Sequence, residues 1–133
     1  MDTSLFNKYR AELESELDLT DFNMKDVQMG LPGTKHKWVS RLIESKIELN
    51  KLKELKEEAV TAVIDKNKAE NKVIMSDLAL KRQAQNHPAI IKINNKINEC
   101  DIIIEYLEKV ERICHSTTYD IKNLVDIKKL ELT

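Results

Sequence analysis

Residues 34–133 contain no glycine, and Pro88 is the only proline among them. Sheets and α/β folds need many tight turns, and tight turns depend on glycine for positive φ angles and on proline for a fixed φ angle. A stretch of a hundred residues without these turn formers predicts an all-α protein made of long amphipathic helices.

The scarcity of glycine also bears on catalysis. Phosphate-binding loops, dinucleotide-binding turns and nucleophile elbows all need glycine where the backbone is strained or approaches a ligand, and no such motif occurs here. His36, His87 and His115 are widely scattered, and Cys114 and His115 are neighbours that point in different directions on a helix. We therefore expect no enzymatic activity, no metal site and no cofactor.

Two features bear on the compartment. No apolar run approaches the roughly 20 residues that span a membrane, and the first residues lack the basic start and apolar segment of a signal peptide. Cys100 and Cys114 lie about 21 Å apart along one predicted helix, too far to form a disulfide. These features predict a reducing, cytoplasmic location without a membrane partner.

The charges are unevenly distributed along the chain. Residues 1–34 carry three basic and seven acidic side chains, a net charge of −4. Residues 35–82 carry twelve basic and eight acidic side chains, a net charge of +4. The overall net charge of −1 therefore conceals an acidic N-terminal arm and a basic middle segment.

The first third of the chain predicts a short helix and a linker. Leucine and tyrosine recur every four residues between Leu5 and Leu17, which predicts an amphipathic helix there. Residues 18–33 resemble a linker, broken by the sequence Gly-Leu-Pro-Gly at 30–33, with Thr34 as the N-cap of the next helix. We therefore expect residues 1–33 to form an acidic helix and linker, and residues 34–133 to form a separate helical domain.

The remainder of the chain predicts further helices arranged as an antiparallel hairpin. A second helix is expected from Lys35 to about Lys66, followed by a turn or mobile segment within residues 65–86. Pro88 favours a helix start, because the first turn of a helix does not need its missing N–H. Residues 115–118 interrupt the pattern, and the sequence leaves open whether the last helix is separate or continuous.

The helix after Pro88 carries a heptad seam with more apolar surface than one short preceding helix can cover. The last helix adds a second apolar ridge. Both predict assembly of the chain into a ring-like homo-oligomer. The predicted interface residues are Ile90, Ile93, Ile97, Ile104, Leu107, Ile121, Leu124 and Val125.

The basic middle segment offers candidate contacts to nucleic acid. Cations spaced along helices can follow a phosphate backbone and give a sequence-independent, salt-sensitive affinity. The alternative is a solvated helix face, since acidic residues are interleaved with the basic ones. Aromatic residues for base stacking are few, and we expect Trp38 to lie in the core. The candidates are Lys35, Lys37, Arg41, Lys66, Lys68, Lys72, Lys81 and Arg82.

Two stretches resemble the UvsY recombination mediators of T-even-like phages. The C-terminal run Tyr119–Glu131 resembles the ending of that family, and Lys37-Trp38-Val39, followed by a basic amphipathic helix, resembles its Lys-Trp-Leu helix. The basic motif that the family associates with DNA contact, of the Lys-Ala-Arg-Leu kind, is replaced here by Thr61-Ala-Val-Ile64. An arginine and a tryptophan of the family correspond to Thr117 and Ile127.

The resemblance implies a function. UvsY-like proteins form heptameric rings, hold single-stranded DNA and help a RecA-like phage recombinase to displace a single-strand-binding protein. For this chain it implies the same partners in the cytoplasm of an infected bacterial host. The alternative is a helical scaffold or adaptor without DNA binding. Salt-dependent binding to a homopolymeric single strand would separate the two hypotheses.

Overall fold

The computed structural model describes residues 1–70 and 74–132, and this part of the chain contains helices but no strand. The all-α prediction is therefore confirmed. None of the helices within the described ranges is both long and apolar enough to cross a membrane. The helices are α1 (Ser4–Glu16), α2 (Met24–Glu70), α3 (Asp77–Gln85) and α4 (Pro88–Glu131).

Helix α2 begins well before the predicted start at Lys35, so the prediction of a linker over residues 18–33 is wrong. Asn23 organises the short turn that precedes the helix. Its side-chain amide donates to the carbonyl of Asp18 at 2.7 Å, and its Oδ1 accepts from the N–H of Thr20 at 2.7 Å. Its own carbonyl accepts from the N–H of Val27 at 2.9 Å, which opens the helix.

Residues 30–33 lie inside α2 and do not interrupt it. Neither glycine has a positive φ angle, and Pro32 is accommodated within the helix although it lacks the N–H that a helix interior normally uses. Leu31 is only 3% exposed, and burying such a side chain contributes about 1.5–3 kcal/mol, enough to offset much of the cost of helix breakers. Thr34 is therefore not an N-cap, and the predicted domain boundary falls within a helix.

The segment predicted as a turn or mobile region, residues 65–86, is mostly helical where it is described. Helix α2 continues to Glu70, and α3 occupies Asp77–Gln85. Ser76 caps α3, since its Oγ accepts from the N–H of Ala79 at 3.2 Å. Leu80 and Ala84 anchor α3 because both are buried.

Helix α4 starts at Pro88, as predicted, and continues without a break to Glu131. The question that the sequence left open at residues 115–118 is thereby answered, because the helix passes through them. The hydroxyls of Ser116 and Thr117 donate to the carbonyl of Ile113 at 3.0 and 2.9 Å, so these side chains satisfy their hydrogen bonds within the helix. The last two predicted helices are therefore one.

The chain divides into two compact units, and α2 and α4 contribute to both. We call Ser45–Ile102 the central unit, with which Met1 is grouped, and Asp2–Glu44 with Ile103–Thr133 the terminal unit. This division differs from the predicted one at residues 33 and 34. The core of the terminal unit joins α1, α2 and α4 through Leu13, Trp38, Leu42, Ile103, Leu107, Val110 and Cys114.

The central unit contains the second half of α2, all of α3 and the first half of α4. Each of these helices buries apolar side chains, among them Leu52, Leu80 and Ile90. The thiol of Cys100 donates to the carbonyl of Ser45 at 3.2 Å, which links α4 to α2 within this unit.

The predicted oligomer seam lies largely inside the chain. Ile90, Leu107 and Ile121 are 0%, 1% and 7% exposed, so they belong to the protein's own core. Their burial contradicts the prediction that they lie at an interface between copies. Ile93, Ile97 and Ile104 are half-buried. The seam finds its partner in α2, which at 47 residues is longer than predicted. Leu124 and Val125 remain exposed and stay candidates for an interface between copies.

Candidate nucleic-acid interface

The predicted phosphate contacts separate into two groups, one in each unit. Lys35, Lys37 and Arg41 belong to the terminal unit. The cations at residues 66, 68, 81 and 82 belong to the central unit, and Lys72 lies outside the described residues. The two groups differ sharply in their surroundings.

Arg41 is held by α1 through a two-point ion pair with Glu12. The guanidinium Nη1 lies 2.7 Å from Oε2 of Glu12, and Nη2 lies 3.2 Å from Oε1. The same guanidinium stands 4.8 Å from the ring centroid of Tyr9 and 4.7 Å from that of Trp38. Such a bidentate, stacked arrangement is the strongest form of a protein ion pair.

Lys37 completes this arrangement one turn before Arg41. Its Nζ lies 3.1 Å from Oε1 of Glu12 and makes a second, close ion pair with Glu16. Glu16 also accepts a hydrogen bond from the indole Nε1 of Trp38 at 2.9 Å. We call Glu12, Glu16, Lys37 and Arg41 the acidic clamp, because the two glutamates of α1 neutralise the two cations of α2.

The clamp shifts the ionisation of its central carboxylate. The hydrogen bonds from Arg41 are the main cause that lowers the pKa of Glu12 from 4.5 to about 2. Burial opposes this shift, and Lys37 adds a smaller lowering effect. Glu12 is therefore ionised at any ordinary pH, and it occupies both cations permanently while α1 is docked.

The local sequence explains why these side chains meet. Glu12 and Glu16 are four residues apart on α1, and Lys37 and Arg41 are four residues apart on α2, so each pair shares one helix face. Leu13 beside the acids and Trp38 between the cations are both buried. Sequence analysis did not predict this pairing, although the matched four-residue spacings of opposite charge are a signal for it.

Lys35 points to a different region of the terminal unit. It lines a groove of about 620 Å³ between α2 and α4, with Arg112 and His115 as further basic residues and Glu108 and Glu111 as acidic ones. Arg112 and His115 were not predicted, because only the packing of α4 on α2 brings them beside Lys35. The groove therefore presents both signs of charge rather than a uniformly basic surface.

Four predicted cations of the central unit have different surroundings. Lys66 and Lys68 lie in the last turns of α2, and Lys81 and Arg82 lie on α3. All four are exposed, and within residues 1–70 and 74–132 none of them makes a hydrogen bond, ion pair or ring contact. These side chains can bind an external anion without giving up an internal partner.

A second groove, of about 630 Å³, lies in the central unit where the end of α3 meets α2 and α4. Gln85, Thr61 and Ile97 line it. Lys53 and Lys56, which share one face of α2, stand at the same groove beside Glu57. These two lysines were not predicted, and they lie about two turns and about one turn before Thr61 on α2.

Within the described ranges, the cysteines and the metal-ligating residue types are the candidates for reactive sites. Cys100 and Cys114 are free, and burial raises the pKa of both thiols, which makes them poor nucleophiles. Across the described ranges, no three histidine, cysteine, aspartate or glutamate side chains converge in a way that could hold a metal ion.

Comparisons with known proteins agree with this architecture. A family model described as "Recombination, repair and ssDNA binding protein UvsY" matches residues 12–132. No curated protein sequence shows significant similarity to the chain.

Two crystal structures of the bacteriophage T4 recombination mediator protein UvsY share the fold. The form called lattice type IV matches with a TM-score of 0.80 at 14% identity, covering 94% of this chain and 97% of that chain. Lattice type II matches with a TM-score of 0.78 at 14% identity, covering 96% and 97%.

Proposed function

The chain belongs to the UvsY family of recombination, repair and single-stranded DNA binding proteins, and from this membership we propose that it is a recombination mediator. In this role it binds single-stranded DNA and promotes the loading of a RecA-like phage recombinase in place of a single-strand-binding protein. Its partners are therefore the DNA strand, the recombinase and the single-strand-binding protein. It acts in the cytoplasm of the infected bacterial host.

The observation that supports DNA binding is the set of free cations in the central unit. Lys66, Lys68, Lys81 and Arg82 are exposed and have no partner among the described residues. Three of them are lysines, which meet phosphates as point charges and do not read base edges. Binding through them is electrostatic and indifferent to base sequence.

The cations of the terminal unit contribute less to this binding of phosphates. Lys37 and Arg41 are already neutralised by Glu12 and Glu16. Lys35 shares its groove with Glu108 and Glu111. A phosphate that approaches these cations must therefore compete with carboxylates. A phosphate that approaches the four exposed cations of the central unit displaces no ion-pair partner among the described residues.

Assembly into a homo-oligomer, a heptameric ring as in the family, strengthens such binding, because several weak basic surfaces on one particle act together. The end of α4 supports assembly because it exposes several large apolar side chains, as surfaces that contact a partner often do. These side chains are Tyr119, Leu124, Val125, Ile127 and Leu130.

The DNA contacts are tested by the salt dependence of binding to an oligo-dT single strand. The variant K66Q/K68Q/K81Q/R82Q should bind more weakly, and its log–log salt slope should fall by about 0.7 for each phosphate that is no longer neutralised, about 3 in total. The matched control K8Q/K25Q/K122Q/K129Q removes four exposed cations of the terminal unit. It should leave the slope close to that of wild type.

Two outcomes would contradict the proposal. An equal reduction of the slope in both variants would show that only overall charge matters. Failure of the wild-type protein to bind the strand at low salt would favour the scaffold or adaptor hypothesis.

The mediator role itself is tested by recombinase ATPase activity on a strand coated with single-strand-binding protein. Wild type should shorten the lag before ATP hydrolysis, and the central-unit variant should not.

A further inference from the structure

The surface of α2 beneath α1 has the composition of a single-strand binding site. Lys37 and Arg41 flank the indole of Trp38, with their charged groups 5.3 and 4.7 Å from its ring centroid. An aromatic ring bordered by cations can stack a base and hold the adjoining phosphates. In the folded chain this surface is closed, because Trp38 is only 1% exposed.

The groups with which α1 closes the surface resemble those of a nucleotide. The carboxylate of Glu12 meets the guanidinium of Arg41 at two points, the geometry in which arginine also takes a phosphate. The carboxylate of Glu16 forms an ion pair with Lys37 and accepts a hydrogen bond from the indole N–H of Trp38. The ring of Tyr9 contacts that of Trp38 edge-on, with centroids 5.5 Å apart. Helix α1 thus supplies two anions and an aromatic ring.

Helix α1 is attached by few buried side chains. Leu13 is its only buried residue, and Phe6, Tyr9 and Leu17 are partly buried against the core. A 13-residue helix with one fully buried side chain, held otherwise by partly buried side chains and ion pairs, belongs to the less stable parts of a fold, which open first. The ion pairs are also the part of this attachment that a polyanion can replace.

We propose that α1 is a displaceable acidic cover over a second binding surface for single-stranded DNA, formed by Lys37, Trp38 and Arg41. Phosphates of the strand replace the carboxylates of Glu12 and Glu16, and a base takes the place of Tyr9 beside the indole. This inference rests on the proposed function. It adds a site in the terminal unit that is masked until a strand competes with α1 for it.

The test is a pair of double variants of the full chain with the same change in charge. E12Q/E16Q removes the two carboxylates of the clamp, and glutamine retains the length and hydrogen-bonding capacity that let α1 dock. E14Q/D18N removes two negative charges from the same region, and neither residue forms an ion pair among the described residues. Any difference between the two variants therefore reports on the clamp and not on net charge.

Binding to an oligo-dT strand gives the first readout. E12Q/E16Q should bind about tenfold more tightly than wild type at moderate salt, and its log–log salt slope should be steeper by about 1.4, the contribution of two additional phosphates. Replacing Lys37 and Arg41 by glutamine in that background should return the slope to the wild-type value. E14Q/D18N should match wild type in slope.

Tryptophan fluorescence gives the second readout, because Trp38 is the only tryptophan. Stacking of a base should quench its emission, and in E12Q/E16Q the quenching should occur at about tenfold lower strand concentration than in wild type. If the double variant loses its helical circular dichroism, E12Q alone serves instead, with a slope change of about 0.7.

The inference is overturned if E14Q/D18N enhances binding as much as E12Q/E16Q does. It is also overturned if the strand binds to E12Q/E16Q without changing the emission of Trp38. In both cases wild type still binds DNA, so the proposed function stands. If neither wild type nor any variant binds the strand, the proposed function fails and this inference with it.

Discussion

The two units of the molecule carry similar basic side chains in opposite circumstances. In the terminal unit, Lys37 and Arg41 are half-buried and paired with two glutamates from α1. In the central unit, Lys66 and Lys68 are exposed and unpaired among the described residues. The comparison teaches that the acids which the fold places beside a lysine or arginine decide whether an external anion can meet that side chain without first displacing a carboxylate.

The same contrast assigns different physical roles to the charges. Ion pairs at the edge of an apolar core, such as those around Trp38, contribute to stability because solvent screens them less. Exposed single charges contribute little to stability. We therefore expect substitutions in the terminal unit to change the free energy of unfolding, and substitutions of the free cations to change DNA binding.

The largest effect is expected at the centre of the terminal unit. Trp38→Ala should lower the free energy of unfolding by about 3–5 kcal/mol, because it removes a fully buried indole and leaves a cavity. Ile47→Ala, on the exposed side of α2 in the central unit, should cost less than about 1 kcal/mol since Ile47 is 50% exposed. Urea unfolding followed by circular dichroism measures both. Equal destabilisation by the two substitutions would contradict the description of Trp38 as the core of its unit.

Lowering the pH should weaken the acidic clamp and reduce the free energy of unfolding. The pKa of Glu12 is lowered from 4.5 to about 2, so its contribution to stability is complete above pH 4.5 and is lost as the pH falls towards 2. The difference corresponds to about 3 kcal/mol, which solvent at the half-buried carboxylate reduces to about 2 kcal/mol. Urea unfolding at about pH 6 should therefore separate wild type from E12Q by roughly this amount.

At about pH 3 the separation between wild type and E12Q should shrink to half or less, because Glu12 is almost fully protonated in the unfolded state and most of its advantage is lost. A separation that stays constant between the two pH values would show that the Glu12 carboxylate is not stabilised by Arg41 and Lys37.

A smaller change in the free energy of unfolding should distinguish Arg41 in the terminal unit from Lys68 in the central unit. Arg41→Gln removes the bidentate ion pair and should cost about 1–2 kcal/mol, while Lys37 still neutralises part of the charge on Glu12. Lys68→Gln should change the free energy of unfolding by less than about 0.5 kcal/mol. Thermal unfolding of the two variants beside wild type checks this. A comparable destabilisation in Lys68→Gln would mean that the central cations also have internal partners.

Much of the architecture could be predicted from local patterns. The glycine-free stretch indicated long helices, and the period of Leu5, Tyr9 and Leu13 located α1 to within one residue at each end. Pro88 marked the start of α4. These predictions succeeded because they depend on backbone conformation and on which side chains share a helix face.

The failures occurred where tertiary packing outweighed local preference. The Gly-Leu-Pro-Gly sequence indicated a break, yet α2 continues through it and buries Leu31. The seam through Ile90 and Leu107 indicated contacts between chains, yet both side chains are buried within one chain. The first prediction was wrong because local preference did not decide the backbone, and the second because the apolar seam packs inside its own chain.

For the candidate site, the sequence alone determined the number and spacing of the cations, because charge is a property of residue type. Only the tertiary structure decided which of them are free. Lys37 and Arg41 lie more than twenty residues from Glu12 and Glu16 along the chain, and the docking of α1 on α2 brings them within hydrogen-bonding distance. Coulomb energy depends on distance in space, so only the tertiary structure determines which charges on this surface interact.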